Sequence, residues 1–215
     1  MGRIWAVMLG MVIAAFVVGA LFYPILPEKL ASHWNAQGKV DGYMGKFWGV
    51  FLMPVISVLL FLLFLAIPRI DPLKENIAKF RKCFDFFVAF VIAFLLYLYL
   101  LTLYWNLGAR FDLIQALVPA FAALFYVAGV LIASARRNWF VGIRTPWTLS
   151  SETVWKKTHS LGGKLFKLSG IIALFGIPFP SLALFFVLAP VILAAVYSIV
   201  YSYFEYARET KRKKR

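Results

Sequence analysis

His33, His159, Cys83 and nine carboxylates are the side chains of this chain best suited to acid–base, nucleophilic or metal chemistry, and their placement narrows what that chemistry can be. His33 stands with Glu28, Asn35 and Asp41, and imidazole with carboxylate is a set that can hold a metal or a small ligand. The same residues also read as a structured loop, the more ordinary arrangement, in which His33 and Asn35 satisfy backbone groups and Gly38 and Gly42 make turns. His159 follows Trp155 by four residues and shares a helix face with it. Arg144 lies between Gly142 and Thr145-Pro146, flanked by Trp139 and Trp147. Its guanidinium can stack on an indole or fork onto a carboxylate. That suits a docking surface for a cytoplasmic partner, or a lid packed on the rest of the protein. The chain has no H-E-x-x-H, G-x-S-x-G or Walker A motif, and Gly162-Gly163-Lys164 lacks the spacing of a phosphate loop. A single cysteine forbids an intrachain disulfide.

The elements that carry these residues are membrane spans. The chain is 63% hydrophobic, where a soluble domain is nearer half. Six apolar runs approach the length of roughly 20 residues that a spanning helix needs. They are Ile4–Ile25, Phe47–Ile67, Phe84–Tyr104, Leu113–Ala135, the shorter Leu165–Ile177, and Ser181–Tyr203. The first is too long for a signal-peptide core and is read as a retained span. Lys and Arg divide unequally between the loops: eighteen fall on the side of both termini and four on the other, with Lys167 inside the fifth run. By the positive-inside rule the sequence predicts an all-α integral membrane protein, a six-helix transmembrane bundle with N- and C-termini cytoplasmic.

That topology separates the chemistry. His33 and His159 face opposite compartments and cannot share a site. No carboxylate sits in the middle of a span, which argues against proton-coupled transport. Asp85 is expected to pair with Arg81 four residues earlier. Ala15/Gly19 and Gly129/Ala133 are expected to let helices approach closely. Tyr97, Tyr99, Thr102, Tyr104 and Asn106 either line an outward cavity or satisfy themselves at the interface. Trp34 and Trp48 read as interface anchors, and the basic tail KRKKR reads as an anchor on anionic lipid, not a nucleic-acid contact.

The segment between the fourth and fifth runs, Asn138 to His159, is the longest polar interval of the second half and holds three of the seven tryptophans. Gly142 permits a sharp bend, and Pro146 holds Thr145 extended. A helix is expected to start with Ser150 as N-cap and Glu152 in its first turn, and to end at Gly162-Gly163.

The run N-W-F-V-G-I-R-T-P-W-T-L-S, followed by W-K-K-T-H, closely resembles the signature of the SdpI-type bacteriocin immunity protein family. Leu26–Lys46, through His33, Trp34, Asn35, Gly38, Asp41 and Gly42, resembles the small membrane domain of unknown function found N-terminal to it. The resemblance implies two halves. Residues 1–112 would form an N-terminal membrane domain of three spans with an ordered outer loop at 26–46. Residues 113–215 would form an SdpI-like domain of three spans with a Trp-rich inner loop at 136–164. It also implies protection against a secreted antimicrobial peptide by binding, without catalysis, metal or cofactor. The toxin would meet His33, Asn35 and Asp41 of the outer loop. A cytoplasmic repressor would meet Asn138, Gly142, Arg144, Thr145, Pro146, Trp147, Trp155 and His159 of the inner loop, which has no direct contact with nucleic acid. Two alternatives stay open: a small permease or lipid-binding membrane protein, and a metal-dependent membrane enzyme using His33 and Asp41.

Overall fold

Six long helices bundle together in the computed structural model, which describes residues 2–213. Helices α1 (Arg3–Phe22), α2 (Lys46–Ile70), α4 (Arg81–Asn106), α5 (Leu113–Ser134) and α8 (Ala183–Lys213) are long and apolar enough to cross a membrane. Between α2 and α4 lies a short helix, α3 (Lys74–Lys79), and between α5 and α8 lie α6 (Pro146–Ser150) and α7 (Glu152–Ala173). At 22 residues α7 reaches roughly 33 Å. It is long enough to cross, but its first half is too polar to be read as a span from composition.

Helix α7 nevertheless runs the full height of the bundle. At one end Ser151, its N-cap, donates to Glu209 of α8 at 2.5 Å. At the other, Gln115 in the first turn of α5 donates to the Gly176 carbonyl at 2.9 Å. The first is the basic end, which also holds the start of α1, the α2–α4 connection and the end of α8. The second carries the loops between α1 and α2 and between α4 and α5.

The expected helix stop at Gly162-Gly163 is corrected by the structure, as is the cap at Ser150. The amphipathic segment and the fifth apolar run form one unbroken helix capped by Ser151, whose Oγ accepts from the Val154 N–H at 3.2 Å. The glycines serve close approach, not termination. A Cβ on Gly163 would lie 2.6 Å from Ala133 Cβ and 2.8 Å from the Gly129 carbonyl oxygen. One on Gly170 would lie 2.5 Å from the Ala122 oxygen. Helices α5 and α7 therefore touch backbone to backbone, as small-residue interfaces in membranes allow. The Gly129/Ala133 pair packs here, and Gly19 packs against Val50 and Tyr99.

The loop after α1 is ordered, but as a β-hairpin, the one sheet among the described residues. Strands β1 (Lys29–Trp34) and β2 (Val40–Gly45) pair antiparallel, with Leu30 opposite Met44 and His33 opposite Gly42. Leu30 and Ala31 are buried, and Leu30 joins a core with Ala15, Val50, Tyr99 and Leu103. Asn106 at the end of α4 receives the Ala31 N–H at 2.8 Å and donates to the Ala31 carbonyl at 3.1 Å, replacing a neighbouring strand. Of the polar groups on α4, Thr102 donates to the Leu98 carbonyl, Tyr97 donates to the Ala116 carbonyl, and Tyr104 stacks on Phe111. Tyr97, Thr102 and Asn106 thus satisfy themselves within the protein, whereas the buried Tyr99 hydroxyl has no hydrogen-bond partner among the described residues. Trp34 meets Trp105 edge to face, whereas Trp48 is exposed. At the basic end Arg81 and Asp85 pair at 2.6 Å as expected, and Lys213 pairs with Glu209. Of the basic tail, Lys214 and Arg215 lie outside the described residues.

Gly163→Ala should lower the thermal stability of the detergent-solubilised protein by about 1–3 kcal/mol, because α5 and α7 must separate to admit the methyl group. Gly10→Ala, where nothing lies within 4 Å of the added Cβ, should not. Equal melting temperatures for the two variants would show that the seam is not tight.

Candidate functional site

Two polar structures close the ends of the bundle, and between them they hold the candidate outer-loop and inner-loop residues of the sequence. At the hairpin end, Asn35 Oδ1 accepts from the Gln37 and Lys39 N–H groups, both at 3.0 Å, and Gly38 completes the turn at φ 70°. Asn35 is thus a turn-former. His33 Nδ1 lies 2.5 Å from Asp41 Oδ1, both exposed on the hairpin. The strand register shifts on either side of His33, and a Cβ on Gly42 would lie 2.8 Å from His33 Cβ. Glu28 turns instead to Lys46, at 3.5 Å. Among the described residues no third His, Cys, Asp or Glu joins the pair to complete a metal-ligating group.

At the basic end, the segment between α5 and α7 is a folded cap in which Asn138, Thr145 and Thr148 bond within the protein. Asn138 is fully buried. Its amide donates to the Arg136 and Val141 carbonyls and accepts from the Phe140 and Val141 N–H groups, at 2.7–2.9 Å. Thr145 caps α6 in a capping box with Thr148, and its hydroxyl meets Ser202 of α8 at 3.0 Å. Pro146 is the first residue of α6, and Trp147 lies edge to face with Tyr203. Trp155 donates to the Ala135 carbonyl at 2.9 Å, satisfying the end of α5.

His159 is the centre of this cap. Its ring stacks on Trp155 with centroids 3.8 Å apart. Nδ1 donates to the Trp155 carbonyl at 2.9 Å, and Nε2 accepts from the Ile143 N–H at 3.0 Å. Gly142 takes φ 107°, and any Cβ there would collide with Nε2. Burial pushes His159 down to about 4, against a smaller opposing pull from the Trp155 carbonyl. The ring is held neutral, because a proton on Nε2 would face an N–H donor. Nearby, the Glu205 carboxylate accepts from Lys157 at 2.7 Å and holds that ammonium above its usual range.

Arg144 differs from its neighbours. It is exposed and donates to the Trp139 carbonyl at 2.5 Å, with the Trp139 indole also 52% exposed. Among the described residues it is neither stacked on an indole nor paired with a carboxylate. Sequence reading passed over Asp71, which is buried and receives the Leu73 N–H on one oxygen and the Trp139 N–H, at 2.9 Å, on the other. Asp71-Pro72 after an apolar run is a turn signal that could have found the first contact. Nothing local announces the second. Nor does anything local announce Asn76 donating to the Arg137 carbonyl at 2.9 Å, or the serines of α8 beneath the cap.

Long apolar helices closed by two folded polar ends define a multi-pass cell-membrane protein. Residues 134–202 match the SdpI/YfhL protein family, and residues 10–58 match a domain of unknown function, DUF1648. Through these matches the second half of the chain is similar to the SdpI/YfhL family and the first half to that domain of unknown function. Over 196 residues it is 28% identical to the immunity protein SdpI of Bacillus subtilis (strain 168), covering 90% of this chain and 91% of that one. It is 36% identical over 52 residues to the uncharacterized membrane protein YbgB of the same organism, which covers 24% of this chain and 57% of YbgB. No solved structure matches it.

The unfolded chain protonates its histidine near pH 6.5, and the folded protein does so at His159 only near 4. Between these values the unfolded state binds more protons, so stability is full above about pH 6.5 and falls as pH drops towards 4. The loss should approach about 3 kcal/mol, at roughly 1.4 kcal/mol per pH unit. Melting curves across that range should show the slope in wild type and a shallower one in His159→Leu. Identical slopes would place the pH sensitivity elsewhere.

Proposed function

We propose that this chain is a membrane immunity protein that binds a secreted antimicrobial peptide at its hairpin end and engages a cytoplasmic regulator at its basic end. The likeness to a protein named for immunity, along nine-tenths of both chains, supports the first part. The observation that carries the second is the exposure of Arg144 beside the exposed Trp139, on a cap whose buried Asn138, Thr145 and Thr148 are spent on holding it together. An exposed guanidinium beside an exposed indole is the pairing that protein interfaces favour. The remaining inner-loop residues, Asn138, Gly142, Thr145, Pro146, Trp147, Trp155 and His159, act in this reading by presenting that pair. At the hairpin, His33 and Asp41 offer the peptide a polar edge that Asn35 holds in shape.

The reading includes six spans, the fifth being Leu165–Ile177, the apolar second half of α7 and the turn after it, with His159 and the polar first half of α7 belonging to the inner loop. Eighteen of the cationic residues then lie inside with both termini. Residues 1–112 form the toxin-facing unit and 113–215 the regulator-facing one. The approach of His33 to Asp41 also favours the metal-dependent reading, and metal analysis of the purified protein tests it: stoichiometric metal that is lost in Asp41→Asn would support that reading over simple binding.

Cells lacking their own immunity protein should survive a secreted killing peptide of the SdpC type when they express this chain. Arg144→Ala should insert normally and lose any induced signalling, and His33→Ala should reduce protection. Full function in both variants would remove these residues from the mechanism. In a Cys83→Ser background, an impermeant maleimide should label Lys39→Cys in whole cells and Lys156→Cys only after lysis. The reverse pattern would overturn the orientation.

A further inference from the structure

The outer surface where α7 meets α8 carries a trough of two chemistries. Towards the basic end is a recess of about 730 Å³, lined by Glu152, Thr153, Lys156, Lys157, Ser160, Lys164 and Tyr201. Below it an apolar groove of about 560 Å³ runs between Leu161, Leu165 and Leu168 of α7 and Pro190, Leu193 and Tyr197 of α8. The two share Leu161, and Tyr197 and Tyr201 stand about one turn apart on α8. They form one continuous channel open along its side. Its apolar part extends from Leu161 to Ile172, roughly 16 Å of helix. Ser169 and Ala194, small and buried, deepen its floor.

The charges in the recess are unequally committed. Lys157 is held by Glu205, and Glu152 faces Arg137 at 3.9 Å. Lys156 and Lys164 make no ion pair among the described residues. Two ammonium groups with nearby hydroxyls thus overhang an apolar slot. An acyl chain alone would account for the slot, and a soluble anion alone for the lysines. Only a molecule with an anionic head and a long apolar tail uses both.

We propose that this trough is a binding site for one anionic phospholipid, its phosphate between Lys156 and Lys164 and one acyl chain laid between α7 and α8. The site lies on α7, whose first half is too polar to face hydrocarbon. A bound headgroup would meet those polar residues at the level where the helix becomes apolar. The site is independent of any toxin or regulator.

Native mass spectrometry of the full chain in detergent tests it, with phosphatidylglycerol and phosphatidylcholine of identical acyl chains as probes. One phosphatidylglycerol should be retained, with preference over phosphatidylcholine of roughly tenfold or more, the scale expected of two lysines facing an anionic head. The Lys156→Gln/Lys164→Gln variant should lose the preference, and Ala194→Phe, which fills the slot, should lose both lipids. Lys74→Gln/Lys79→Gln, which removes the same charge elsewhere at the basic end, should keep it. Equal retention of the two lipids by wild type, or an unchanged preference in Lys156→Gln/Lys164→Gln, would overturn the proposal. Displacement of the bound lipid by excess inorganic phosphate would likewise overturn it, in favour of a site for the free ion.

Discussion

Helices α5 and α7 meet through backbone atoms, with Gly129 and Gly163 facing one another and Gly170 against Ala122, and the basic-end cap is built upon that contact. In a bilayer no hydrophobic force drives one apolar helix onto another, so close packing has to supply the association. The seam fixes the height and rotation of α7. That rotation aims Trp155 at the last carbonyl of α5 and His159 at the Ile143 N–H. Gly162 extends the same logic outward, since a Cβ there would collide with Ile143 of the cap. Loosening the seam would withdraw the acceptor that holds the cap before any cap residue had changed.

The cap obeys a second constraint. A loop lying on an apolar bundle must satisfy its own backbone, because buried polar groups without partners are costly. Asn138, Thr145, Thr148 and His159 meet that requirement, so their side chains are consumed by structure. Among the groups available to another molecule are Arg144 with Trp139, the exposed Arg136, and the lysines of α7. At the opposite end the hairpin is held in the same way. Asn106 supplies the hydrogen bonds of an absent third strand, and His33 and Asp41 are left exposed to each other and to solvent.

Much of this is legible in the residues. The apolar runs locate the helices, Arg81 and Asp85 show their pairing by spacing alone, and Gly142 marks a bend that the structure places at φ 107°. The glycine pair at 162–163 misleads because the same residue type serves two purposes. In a soluble helix Gly-Gly reads as a stop, whereas between membrane helices it reads as a contact, and only the partner helix decides. The hairpin escapes because its strands lack β-branched residues apart from Val40, and its pairing rests on burial of Leu30 and Ala31 against helices distant in sequence. Asp71 and Asn106 act across 68 and 75 residues, distances at which no local pattern carries information.

Three polar side-chain contacts tie the cap and the start of α7 to α8: Thr145 to Ser202, Lys157 to Glu205 and Ser151 to Glu209. All three partners lie more than forty residues further along the chain than the groups they hold. During synthesis the cap segment emerges well before α8 exists, and it waits in water with those positions open. Docking of α8 is then what locks it. The order of translation makes the cap a late event in biogenesis, set only once the final helix has entered the membrane beside α7. Until then the nascent protein presents its basic end in an unfinished, hydrated form to whatever chaperone or insertase attends it.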